Sequence, residues 1–156
     1  MESNLRIDLS NLKIDQLGYV YKDIEKQAKI MENLFKIPKF TFMPNFSGTI
    51  KYRGKNSDIT SKIAFSRNFN IQIELIQLIE GECIYKEFLD KGRQGLHHLA
   101  IFVEGMQSYI DLLDKLNYPI IQSGQIGRQA YAYFDTEESL GILLEIEETL
   151  KRQRKK

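Results

Sequence analysis

Cysteine is almost absent from this chain. Cys83 is the only one among 156 residues, so no internal disulfide can form and nothing points to an oxidising compartment. Long apolar runs are missing as well. None approaches the roughly 18 to 20 residues needed to cross a bilayer, and 28% of the residues are charged, which excludes a membrane protein. The opening MESNLRIDLSNLK has no basic start followed by an apolar stretch, so no signal peptide is expected and the location follows as cytoplasmic. Basic charge is scarce outside the very end. Five of the last six residues are Lys or Arg, and without them the net charge falls from +1 to −4. The body therefore offers no footprint for nucleic acid, and the tail, 149–156, reads as a solvated charge run. Low-complexity segments and long linkers are also lacking.

What remains is a regular alternation of patterns. Lys13 to Tyr21 reads as a strand. Asp23 is an N-cap candidate, with Ile24, Ala28, Met31, Leu34 and Phe35 following at helical spacing. Pro38 helps to end that helix. Strand-like runs follow near 40–51, 60–67 and 70–79, with Gly48, Gly54 and Lys55 to Asp58 as turn material. A short helix is expected from Cys83 to Lys91, closed by Gly92. The same order then returns: a strand at Leu96 to Val103, a helix bearing Met106, Tyr109, Ile110, Leu113 and Leu116, and strands near 119–125, 128–135 and 141–147. Gln16 and His98 fall at matching places 82 positions apart, and Glu74 and Glu145 at matching places 71 apart. The expected fold is α+β: one domain over 13–148, made of two βαβββ modules (13–80 and 95–148) joined by the short helix 83–92. The modules together form an open, concave, eight-stranded, barrel-like sheet.

Strand alternation then selects the candidate site. If Ile71, Ile73 and Leu75 lie under the helices, Gln72, Glu74 and Ile76 face the concave side. If Ile142, Leu144 and Ile146 lie under the helices, Leu143, Glu145 and Glu147 face it. Leu17 and Tyr19 on the helix side send Gln16 inward, and Leu99 and Ile101 do the same for His98. Gln16, Glu74, His98 and Glu145 converge. One imidazole, two carboxylates and an amide oxygen suit one borderline divalent ion per chain, Zn²⁺, Ni²⁺, Co²⁺ or Mn²⁺, with positions left for water or substrate. Alternation points His97 to the other face, where a strand-end histidine hydrogen-bonded near the surface is expected. Tyr131, Tyr133, Phe65 and Phe69 are candidates to line a cavity, and Arg53, Arg67 and Arg128 to grip an acidic group; core packing and surface solvation are their competing fates.

The segments IDQLGYVYKDIEKQ, IELIQLIEGECIYKEFLDKG, GLHHLAIFVEG and FDTEESLGILLEIEE resemble the vicinal oxygen chelate superfamily, nearest to its glyoxalase and methylmalonyl-CoA epimerase branch. The resemblance runs from about residue 13 to residue 148. It implies that the second histidine of the HH pair, His98, binds metal, as do Glu145 of the LLEI motif and Glu74 of the strand ending the first module. Epimerases usually carry histidine where this chain has Gln16; the set Gln, Glu, His, Glu is similar to that of some glyoxalase I enzymes. The implied chemistry is a metal-dependent isomerase or lyase reaction on a small molecule, in which Glu145 and Glu74 move a proton next to a carbonyl. A homodimer is implied as well, and open sheet edges would favour it. The competing function is a non-catalytic small-molecule binder of the bleomycin-resistance type.

Overall fold

The computed structural model describes residues 13–153. The polar lead-in at 1–12 and the last three residues of the basic tail lie outside the described residues, while 151–153 are exposed and outside any element. In chain order the elements are β1 (Gln16–Val20), α1 (Ile24–Leu34), β2 (Thr41–Phe42), β3 (Phe46–Tyr52), β4 (Lys55–Asn68) and β5 (Ile71–Glu80). Then come α2 (Ile84–Asp90), β6 (Gly95–Phe102), α3 (Met106–Lys115), β7 (Ile120–Ile126), β8 (Gln129–Phe134), α4 (Glu137–Leu140) and β9 (Leu143–Thr149). Among the described residues no helix is long and apolar enough to cross a membrane.

Eight of the strands form a ring. β1 pairs in parallel with β5 and antiparallel with β6, and β6 pairs in parallel with β9. β8, β7, β3 and β4 continue the ring back to β5, so the concave sheet closes on itself. The seam is narrow: β3 meets β7 only through Lys51 opposite Ser123 and Tyr52 opposite Gln122. Beyond the seam, Phe46 to Ile50 of β3 and Gly124 to Ile126 of β7 keep an edge on the side facing each other without a ladder partner. The two-residue β2 hangs on β4 as a ninth strand.

Three helices find three different seats because each carries its own apolar stripe. Asp23 caps α1 by accepting from the Lys26 N–H at 3.0 Å, and Ile24 and Ala28 pack outside the barrel on Ala64, Ile73 and Leu75. Leu34 and Phe35, at the end of the expected stripe, stay exposed. Likewise α3 sets Leu113 against Ile101, Leu144 and Ile146. Helix α2, in contrast, enters the barrel. Its Ile84, Tyr85 and Phe88 pack on Val20, Ile76, Tyr133 and Leu143, and Ile84 N–H donates to the buried Gln122 Oε1 at 3.0 Å. A helix this short does not persist alone; three buried side chains at about 1.5–3 kcal/mol each hold it.

Two local expectations change. Gly48, paired with Ile59 inside β3, and Lys55 to Asp58 are strand, not turn: Arg53 and Gly54 both take positive φ, 47° and 79°, which is what a two-residue hairpin needs, so β4 begins at Lys55. Ile142 precedes β9 instead of lying under a helix, because Gly141 (φ 73°), at the start of the expected strand, caps α4; with Leu143 it lines a cavity at the α2 end.

Candidate metal centre

Alternation around the ring divides the barrel interior into levels. At one end, Val20, Ile76 and Leu143 meet α2. Further along the same strands come His98, Glu74 and Glu145, and then Gln16, Gln72, Phe102 and Glu147 towards the other end. The four expected side chains are brought together from β1, β5, β6 and β9. His98 Nε2 lies 3.0 Å from Glu145 Oε2, 3.3 Å from Glu74 Oε2 and 3.2 Å from Gln16 Oε1. Gln16 Nε2 donates to Gln72 Oε1 at 2.7 Å, which turns the Gln16 amide oxygen towards His98. All four are buried, Glu74 the most exposed of them at 7%.

The donor set fits a divalent ion. Ligand atoms of Glu74, His98 and Glu145 lie within 4.8 Å of one another, and bonds of about 2.0–2.2 Å to one ion would bring such atoms to roughly 3–4 Å apart. Glu145 Oε2 is buried, and what lies at His98 Nε2, 3.0 Å away, is the one group in reach to satisfy it. A buried charged oxygen without a donor is costly, and a cation between it and Nε2 would satisfy it. With no cation a proton takes that place. Burial pulls the His98 imidazole towards neutrality, but Glu145 and Glu74 outweigh it and raise its pKa to about 10. Burial pushes Glu145 up, with His98 opposing. Glu147 is pushed up to about 9, first by burial and then by Glu145 and Glu74.

Two residues that the sequence reading passed over shape the site. Gly18 lies opposite His98 across the β1–β6 pair, and a Cβ there would stand 1.9 Å from His98 Cε1. In the same register Gln16 faces Ala100, so each inward polar side chain lies across from a small residue. The signal was available: Gly18 and Ala100 are themselves 82 positions apart.

His97 is not near the surface. The β1–β6 register jumps between Gly18 and Tyr19, which pair with His98 and Leu96, so His97 falls in a bulge without a partner. Strict alternation fails there and both histidines turn inward. His97 is 4% exposed and meets the rings of Tyr85, Phe88, Tyr133 and His98 edge-on. Burial, then His98, hold its pKa well below the ordinary value, so it is neutral.

Of the cavity candidates, Tyr131 and Tyr133 are buried in the core with Tyr85, whose hydroxyl lies 2.8 Å from that of Tyr133. Phe65 is half-buried, and Phe69 is 92% exposed at the β4–β5 turn. They do not form an aromatic groove. Arg53 is paired with Glu87 at 2.6 Å, Arg128 donates to the Leu150 carbonyl at 3.4 Å, and Arg67 is exposed.

Comparison with known proteins agrees with this architecture. The family described as Glyoxalase/Bleomycin resistance protein/Dioxygenase superfamily matches residues 15–134. A hypothetical protein from Bacillus halodurans is similar with a TM-score of 0.65 at 20% identity, over 93% of this chain and 99% of that one. Methylmalonyl-CoA epimerase from Mycobacterium tuberculosis gives 0.63 at 15% identity, over 88% of each chain. A variant of the Streptomyces coelicolor methylmalonyl-CoA epimerase, in complex with 2-nitronate-propionyl-CoA, gives 0.65 at 10% identity, over 91% of this chain and 99% of that one. At these identities the likeness is one of fold. No curated protein matches the chain by sequence.

Proposed function

The chain belongs to the glyoxalase/bleomycin resistance protein/dioxygenase superfamily, and from that premise we propose that it is a divalent-metal-dependent isomerase or lyase. Its reaction moves a proton next to a carbonyl of a small molecule. The observation that carries the reading is the buried cluster in which Glu145 Oε2 and Glu74 Oε2 both face His98 Nε2. Gln16, Glu74, His98 and Glu145 are the residues that would hold the ion. When bound, the ion supplies an electrophile for the carbonyl oxygen and for the charge that develops on it.

The chain's own groups do the rest. Glu145 takes the proton from the carbon next to the carbonyl; a bound cation would favour its ionised form, the state a base needs. Glu74, on β5 and separated from β9 by β6 and β1, is the second carboxylate and returns a proton. The packed wall of Tyr85 and Tyr133 excludes water from one side. Filled aromatics in the barrel speak against the non-catalytic binder, which needs a deep groove. Metal analysis of the purified chain tests the first half of the reading. Exchange of the substrate α-proton for deuterium, followed by NMR on acyl-CoA epimers and thiohemiacetals, tests the second. A chain that holds no divalent ion, or metal-loaded protein that exchanges no α-proton in either class, would remove the corresponding half.

A further inference from the structure

The bulge in β6 has a chemical consequence for His98. His97 Nδ1 and His98 Nδ1 face each other at 3.0 Å inside the barrel. Two ring nitrogens at this distance share one proton: two protons would collide, and none would leave two lone pairs opposed. The far nitrogen of His98, Nε2, points at Glu74, Glu145 and Gln16. A neutral imidazole that ligates through Nε2 carries its proton on Nδ1. The shared proton then belongs to His98, and His97 Nδ1 is the acceptor. His97, neutral in its buried seat, then carries its own proton on Nε2.

We propose that His97 is a positioning residue: turned inward by the β6 bulge, it accepts the His98 Nδ1 proton and so fixes the tautomer and rotation in which His98 Nε2 binds a divalent ion. This rests on the metal-binding reading above and adds to it a residue outside the ligand set. His97 is not itself a ligand, because its nitrogen meets the opposite edge of the His98 ring. Its position is held on its other sides by Tyr85 and Phe88 of α2 and by Tyr133, with ring centroids 5.4, 5.0 and 6.1 Å away. The linker helix between the two halves of the barrel therefore supports the centre through one histidine.

The test uses the full chain, with zinc and cobalt binding followed by calorimetry and by the cobalt absorption spectrum. His97→Leu keeps an apolar filler but removes the acceptor; His97→Asn places an amide oxygen close to where Nδ1 lies. Removing a partner of a ligating histidine typically costs about 10–100-fold in metal affinity, so His97→Leu should lose that much and His97→Asn should recover most of it. Thermal unfolding without metal reports whether each variant folds. Should His97→Leu fail to fold, nitrogen-15 spectra of the zinc-loaded wild type decide alone: they should show the His98 proton on Nδ1 and the His97 proton on Nε2. The inference is overturned if His97→Leu binds zinc as the wild type does, if His97→Asn loses as much as His97→Leu, or if His97 carries its proton on Nδ1 in the zinc-loaded chain. A wild type that binds neither ion overturns the metal reading itself, a different outcome from any of these.

Discussion

Gly18→Ala is the smallest change that should dismantle the centre without touching a ligand. Gly18 has no positive φ, so its backbone would accept alanine. The obstacle is the His98 ring. The new methyl would stand 1.9 Å from Cε1, 2.0 Å from Nε2 and 2.5 Å from Nδ1, whereas carbon contacts settle at about 3.5–4.0 Å. The ring has to retreat by roughly 1.5 Å or more. It has nowhere ready to go, because Tyr133 lies against it with ring centroids 5.0 Å apart and Tyr133 is itself 1% exposed. Metal–ligand distances tolerate about 0.2 Å, so such a retreat removes His98 as a ligand. Loss of a supporting partner alone costs about 10–100-fold in affinity; loss of the only nitrogen ligand should exceed the upper figure. Overpacking should cost about 1–3 kcal/mol of stability, offset by at most about 1 kcal/mol from a stiffer unfolded chain. Zinc titration against a competing chelator reads the first effect and chemical denaturation the second. Gly48→Ala in β3, which likewise has no positive φ and whose Cβ would meet only the ring of Phe46, controls for a general effect of replacing glycine. Folded Gly18→Ala with wild-type zinc affinity would refute the placement of His98.

Three further outcomes follow from the same geometry. Glu145→Gln should keep the fold and some metal while losing at least about a hundredfold in turnover, the usual scale for a lost general base; Glu74→Gln should do equal harm only if protons move on both faces, and α-proton exchange with a racemic substrate reads the difference. For the metal-free chain, His98 is raised to about 10, so its protonation stabilises the fold fully below about pH 6.5 and that contribution fades as pH rises towards 10, on the order of 1 kcal/mol per pH unit. Thermal unfolding at stepped pH should show the decline, steepened by Glu145 and Glu147, which burial also raises, and a flat profile would refute it; zinc binding near neutral pH should release a proton, measurable in buffers of different ionisation enthalpy. Thr136→Val should cost about 1–3 kcal/mol by denaturant titration, because the Thr136 hydroxyl, which donates to the Ile142 carbonyl at 2.8 Å and accepts from Leu144 N–H at 2.9 Å, ties down the start of the strand that carries Glu145.

How much of this was legible depended on whether a residue obeyed the period of its strand. Gln16, Glu74 and Glu145 sit in regular segments where apolar neighbours mark the helix side, so alternation alone turned them inward. The repeat of polar residues at matching offsets brought them together with His98. His97 failed the same rule because a bulge inserts one residue and reverses alternation on one side of it. Nothing in GLHHLA distinguishes a bulged strand from a straight one. The cause lies in the partner strand: Gly18 must face His98 to leave room for its ring, while Tyr19 pairs with Leu96, and one residue is left over. Ring closure was hidden for a related reason, since the β3–β7 seam is two residue pairs long and depends on the curvature of all eight strands. The place of α2 was hidden too. Its sequence declares an apolar face but not whether that face meets the outside of the sheet or the inside, and that choice decides what surrounds the metal centre. An outside seat would leave the HH pair under open space. The inside seat puts Tyr85 and Phe88 against His97 and His97 against His98, so the segment read only as a connector becomes one wall of the site.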